Sequence, residues 1–184
     1  LQYVPLEDPI KISRLVLRNL SGRARRISVT AYAEWVLGPT RSATLPFVTT
    51  EIDRDTGAMF ARNPWYPAFA SRVAFADLRG RQTDWTGDRR EFIGRNGTLA
   101  RPAGLAGAQP LSGKTGGGLD PCGALRTVVE LPPGGVAEIV FFLGEAASTE
   151  DARSLIARRR ACDLDAVKTE VDRHWNDVLG AVQV

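Results

Sequence analysis

Apolar and polar residues alternate with a period of two along most of this chain, and near residue 145 the pattern changes to apolar spacings of three and four. Over residues 11–19, Ile12, Arg14 and Val16 fall on one side and Leu15 and Leu17 on the other. Ile27, Val29, Ala31, Ala33 and Trp35 then line one face of a second strand, with Ser28, Thr30, Tyr32 and Glu34 on the other, until Gly38-Pro39 stops it. The intervening Leu20-Ser21-Gly22 turn predicts that these two strands pair as a hairpin. Further strands are predicted at 45–52, 58–61 and 72–76. Strands at 125–131 and 136–143 flank Pro132-Pro133-Gly134-Gly135, which predicts a second hairpin. Many short strands with Gly and Pro turns imply a mainly β chain folded as an antiparallel β-sandwich.

After Gly144 the chain reads as helix. Ser148 or Thr149 can cap a first helix with Glu150 and Asp151 in its first turn and Arg158, Arg159 and Arg160 in its last, each sign suited to its end of the helix dipole. Asp163 can cap a second helix, along which Leu164, Val167, Val171, Trp175 and Val178 form one stripe. That stripe either folds back on the sandwich or seats another domain; partial packing with some apolar surface left exposed is expected. The division expected is a sandwich over residues 1–147 and a helical linker over 148–184.

At 184 residues with 43% hydrophobic content, the chain can bury a core without covalent help. A net charge of only +3, with no zinc spacing and no aromatic-basic repeat, excludes a typical nucleic-acid binder. The two arginine runs, 23–26 and 158–160, read as solvated faces. Cys122 and Cys162 stand apart from each other with His174 as the single histidine, so no metal site and no cysteine nucleophile is supported, and both thiols are expected reduced. No cofactor is expected. No apolar run approaches the ~20 residues of a membrane span, so a soluble piece is expected, and the missing initiator methionine suggests that it is excised from a longer chain. Residues 99–121 form a Gly, Ala and Pro-rich excursion. Its Ser112-Gly113-Lys114-Thr115 lacks the upstream glycine and following helix of a phosphate loop.

Two segments carry candidate chemistry. Prolines on both sides of Trp65-Tyr66 forbid a helix there and hold two large rings on an irregular segment. Such rings suit the apolar face of a sugar, with nearby Asn, Asp and Arg taking its hydroxyls; the alternative, favoured by chemistry alone because buried aromatics outnumber ligand-stacking ones, is that Trp65 and Phe69 anchor a long loop to the core. Asp84, Asp88 and Glu91 lie close in sequence near Trp85, and glycosidic hydrolysis needs a pair of carboxylates. The interleaved Arg89 and Arg90 favour surface ion pairing instead.

Taken in order, Asn63-Pro64-Trp65-Tyr66-Pro67-Ala68-Phe69-Ala70-Ser71-Arg72, Asp88-Arg89-Arg90-Glu91-Phe92-Ile93-Gly94-Arg95-Asn96-Gly97, Leu111-Ser112-Gly113, Leu119-Asp120-Pro121-Cys122-Gly123-Ala124-Leu125 and Phe142-Leu143-Gly144-Glu145-Ala146 carry a resemblance. Over roughly residues 34–184 the chain resembles the N-terminal super-sandwich domain of glycoside hydrolase family 94, formerly glycosyltransferase family 36, and within it the phosphorylase-like region of cyclic β-1,2-glucan synthases. The resemblance implies a galactose-mutarotase-like β-sandwich whose linker helices lead to an (α/α)6 catalytic barrel. The general acid and phosphate-binding groups would belong to that barrel, so the sandwich would not turn over substrate alone. It further implies a bacterial inner-membrane parent, a β-glucan oligosaccharide ligand and a possible homodimer in which a sandwich loop approaches a neighbouring site.

The expected function is therefore a carbohydrate-binding, non-catalytic module, with Trp65, Tyr66, Arg95 and Asn96 as its glycan-facing set. The alternative is a structural or assembly module whose aromatics pack against a barrel or a twin subunit. A hydrolase using Asp88 and Glu91 is the third reading.

Overall fold

The computed structural model describes residues 1–107 and 109–181. Among these described residues, nine strands form two antiparallel sheets. In chain order they are β1 (Gln2–Tyr3), β2 (Ile10–Arg18), β3 (Arg25–Glu34), β4 (Thr49–Ile52), β5 (Met59–Arg62), β6 (Val73–Asp77), β7 (Asp84–Asp88), β8 (Pro121–Leu131) and β9 (Val136–Ala146). One sheet runs β1-β2-β9-β6-β5-β4 and the other β3-β8-β7. The antiparallel sandwich expected from the alternation is present.

Both predicted hairpins are corrected by this topology. β2 does not pair with β3, nor β8 with β9; β2 pairs with β9 (Ile12 opposite Phe142) and β3 with β8 (Val29 opposite Thr127). The two turns are corners at which the chain leaves one sheet for the other. The physical reason lies in β9, which is apolar on both faces. Ile139 packs between the sheets while Val140 and Phe142 pack on the opposite side, so β9 must sit inside a sheet covered twice. The corners are tied together by Asn19, which is buried: its Nδ2 donates to Leu131 O at 2.9 Å and Pro132 O at 3.0 Å, and its backbone exchanges bonds with Gly134 and Gly135.

The strand predicted at 45–52 is also shorter than expected. Thr40 caps a single helical turn, α1 (Arg41–Thr44), and the N–H groups of Phe47 and Val48 turn back to Thr44 O, so the strand begins only at Thr49. Pro46, having no N–H, contributes nothing to a ladder there.

Beyond β9, Ser148 Oγ accepts from Asp151 N to open α3 (Thr149–Ala161), and Asp163 Oδ1 accepts from Asp165 N and Ala166 N to open α4 (Leu164–Gly180). Ala152, Leu155, Ile156, Leu164 and Val171 join Ile12, Phe60, Phe75 and Phe142 in one core on the outer face of the large sheet. Tyr3 Oη reinforces this by donating to Leu164 O at 2.9 Å. The stripe on α4 divides as expected: Leu164 and Val171 are buried, whereas Trp175 and Val178 are 52% and 45% exposed and so remain available to a partner.

Of the arginines that end α3, Arg158 is exposed as its run suggested, whereas Arg159 and Arg160 are drawn into the fold. Arg158 and Arg159 both pair with Asp8, and Arg160 pairs with Asp77, which is wholly buried. The cause is the fold itself, which sets the end of α3 over the end of β6. Among the described residues no helix is long and apolar enough to cross a membrane.

Candidate functional site

The aromatic loop joins β5 to β6, and a buried amide shapes it. Asn63 is 4% exposed, so both ends of its side chain need partners. Its Oδ1 accepts from Trp65 N at 3.2 Å, and its Nδ2 donates to Leu37 O at 2.9 Å. Leu37 holds a positive φ of 43°, a conformation an L-residue adopts only under constraint. One side chain therefore sets both the start of the loop and the segment facing it.

Trp65 is 69% exposed, too much for a core anchor, yet its ring is held. It lies flat on Phe47, with centroids 4.9 Å apart and planes at 9°. Tyr66 stacks in the same manner on Phe69 at 5.6 Å and 4°. Pro67–Phe69 forms a 3-10 turn that brings Phe69 beneath Tyr66. Behind the loop lies a hollow of about 290 Å³ whose walls include Leu37, Phe69, Arg72 and Glu145. The guanidinium of Arg72 makes a two-pronged pair with Glu145, through Nε and Nη2.

Arg95 and Asn96 are exposed on a separate turn that follows α2 (Arg89–Phe92), where Gly94 takes a φ of 90°. Neither Arg95 nor Asn96 lines the hollow behind the aromatic loop. The structure thus stacks Tyr66 on Phe69, which shares the hollow with the Arg72–Glu145 pair, and Trp65 on Phe47. Sequence reasoning passed over that ion pair because it depends on β6 lying beside β9, with Ala74 opposite Glu145. Both residues do fall inside the blocks quoted above.

The three candidate carboxylates are engaged in building the fold. Asp84 pairs with Arg126 at 2.8 Å and accepts from Leu111 N. Asp88 caps α2 by accepting from Arg90 N at 3.0 Å. Glu91 accepts from Ser112 N, Ser112 Oγ and Thr86 Oγ1 at 2.6–2.7 Å, fastening the 99–121 excursion to the small sheet. Burial pushes the Glu91 carboxyl up, but the bonds from Ser112 and Thr86 together hold it below its ordinary range. A general acid needs the opposite shift.

A second polar cluster was not foreseen. Glu34 receives Tyr32 Oη at 2.8 Å, Arg89 Nε at 2.8 Å and Arg41 Nη1 at 3.1 Å, and Arg41 and Arg89 also pair with Asp120. It ties α1, β3 and α2 together at one end of the small sheet. Burial raises the Glu34 carboxyl, yet its bonds from Arg89 and Tyr32 leave it depressed overall. His174 is exposed and meets Trp175 edge-on at 5.4 Å. Among the described residues no group of three or more His, Cys, Asp or Glu is placed to hold a metal ion.

Comparison with known proteins agrees with this architecture. The family model described as "Glycosyl hydrolase 94, supersandwich domain" matches residues 1–161, which takes in both sheets and α3. Over 176 residues, 96% of the chain, the sequence is 36% identical to the cyclic beta-(1,2)-glucan synthase NdvB of Rhizobium meliloti (strain 1021). The chain spans only 6% of that relative's length. Matched over most of its residues and folded as two packed antiparallel sheets with α3 docked on the larger, the chain belongs to the glycosyl hydrolase 94 supersandwich-domain family.

Proposed function

We propose that this chain is a carbohydrate-binding, non-catalytic sandwich module of a β-glucan-processing enzyme, and that its ligand is a β-glucan oligosaccharide. The observation that carries the reading is Trp65. A ring 69% exposed, yet held flat on Phe47 and fixed at its backbone by buried Asn63, is a rigid platform whose ordering cost is met before any ligand arrives. The similarity to a protein named as a cyclic β-(1,2)-glucan synthase supplies the substrate class. Tyr66 extends the platform. Arg95 and Asn96 form a second polar patch on their own turn. Catalysis, in this reading, belongs to an (α/α)6 domain of a longer parent, acting as a glycosyltransferase or phosphorylase on β-glucosidic bonds.

The test is a titration of β-1,2-linked gluco-oligosaccharides against the chain by tryptophan fluorescence, with cellodextrins for comparison. A saturable change that is stronger for the β-1,2 series and abolished by Trp65→Ala supports the reading. Absence of any change up to millimolar sugar rejects it.

A second reading has its own observation. Trp175, Val178 and Leu179 present an exposed apolar face on α4, which suits a module whose role is assembly with a catalytic domain or a twin subunit. Sedimentation of the chain alone and mixed with such a domain separates the two readings.

A further inference from the structure

The hollow behind the aromatic loop has features that the exposed platform alone does not explain. Its floor is made by Ala61 and Ala74, which face each other across β5 and β6, so two methyl groups stand where larger side chains would close the space. One wall is Phe69, itself 52% exposed. The opposite wall is Leu37, kept at its positive φ by the bond from Asn63. Strain of this kind persists only where the surroundings impose it, and it gathers at binding and catalytic sites. At the rim stands the Arg72–Glu145 pair. Its two-pronged geometry leaves donors on Arg72 and lone pairs on Glu145 unused, both in one plane.

We infer that this hollow is a subsite for a single pyranose ring, stacked on Phe69 with adjacent hydroxyls bonded by Arg72 and Glu145, from which a glucan runs out over Trp65. This deepens the glycan-binding reading above and rests on it. The size fits one ring: about 290 Å³ lies just below the roughly 300–1,000 Å³ of small-molecule sites, too little for an oligosaccharide. The chemistry fits a neutral polyol. Arg72 and Glu145 already neutralise each other, so the rim offers hydrogen bonds without a net charge to attract an ion. An aromatic wall beside a planar donor and acceptor pair matches a sugar's apolar face and its adjacent hydroxyls. Asn63 supplies the link between subsite and platform, since the same amide holds Leu37 on one side and Trp65 on the other.

Ala74→Leu, which fills the hollow, and Phe69→Ala, which removes its wall, test the assignment in the same oligosaccharide titration, beside Trp65→Ala. Thermal melting of each variant checks its fold. Methyl spectra of alanine-labelled wild-type protein report Ala61 and Ala74 directly, with no substitution. The expected result is a loss of about tenfold or more in affinity for both hollow variants at unchanged melting temperature, with the Ala61 and Ala74 methyl signals shifting as sugar is added. If Trp65→Ala abolishes binding while both hollow variants bind as wild type and the alanine methyls stay still, the subsite is overturned and the platform stands. If the wild-type chain binds no β-glucan at all, the platform and the subsite fall together.

Discussion

The guanidinium of Arg160 grips both carboxylate oxygens of Asp77, at 2.9 and 2.8 Å, joining the last turn of α3 to the end of β6. Arg160 also donates to Thr56 O at 2.7 Å, while Gly80 N donates to Asp77 at 3.0 Å. The carboxylate is fully buried, so removing one partner leaves an uncompensated charge in the interior. Arg160→Ala, which strands that carboxylate, is expected to lower the unfolding free energy by about 3–5 kcal/mol. Urea denaturation followed by circular dichroism measures it; a loss below about 1 kcal/mol would show that the pair contributes little to docking α3.

Asn19 at the sheet-crossing corners calls for a similar test with a different cause. Asn19→Ala takes one donor from Arg23 O, Leu131 O and Pro132 O at once and leaves buried Leu131 O short of its partner. A cost of about 1–3 kcal/mol is expected, with the denaturant slope unchanged because the surface exposed on unfolding is the same.

Acid should loosen the fold through particular carboxylates. Burial raises the Asp53 carboxyl, but Arg153 and Thr56 together hold it below its usual value, and Glu34 and Glu91 are depressed likewise. A folded-state value below the unfolded one contributes stability that is full above the unfolded value, about 3.9 for Asp and 4.3 for Glu, and is lost as pH falls through the folded value. Melting temperature should therefore hold from neutrality to about pH 5 and then fall steeply. In Asp53→Asn the neutral value should drop and the acid limb flatten, which melts at stepped pH would show.

Cys122 is buried beneath the 99–121 excursion, and burial pushes its thiol up to about 12. In a Cys162→Ser background, iodoacetamide at neutral pH is expected to leave the native protein unlabelled and to modify it once denaturant is added. Rapid native labelling would mean that the excursion opens on the timescale of the reaction.

Trp65 completes the set. Its exposure predicts that Trp65→Ala changes stability by less than about 1 kcal/mol, because little burial is lost apart from the contact with Phe47. Thermal melts check this, and a larger loss would make the ring part of the core after all.

How much of this was legible in the sequence depended on how local each feature is. The short apolar run Ile139-Val140-Phe141-Phe142-Leu143 after a turn signal marks β9 without any structure, and Ser148 and Asp163 mark the helix starts, because a strand's faces and a helix's first turn are fixed within a few residues. Pairing is different. Pro132-Pro133-Gly134-Gly135 turns the chain equally well into a hairpin or across to the other sheet, and only the burial of β9 on both faces decides. Trp65 and Tyr66 were visible as rings among prolines, whereas the hollow beside them required Ala74 to face Glu145 across two strands distant in sequence. Arg160 looked solvated because nothing near it in sequence announces Asp77.

The crossing of the chain between sheets also fixes an order of events during synthesis. β2 and β3 leave the ribosome before their partners β9 and β8, so neither ladder can form until those two strands have been made. Until β8 and β9 emerge these two segments remain open edges, and such non-local pairing folds slowly. A nascent chain of this design needs either a chaperone or its own polar edge residues to stay monomeric while it waits. The exposed arginines at positions 23, 25 and 26 stand at the start of β3, where a charge would keep two such waiting strands apart.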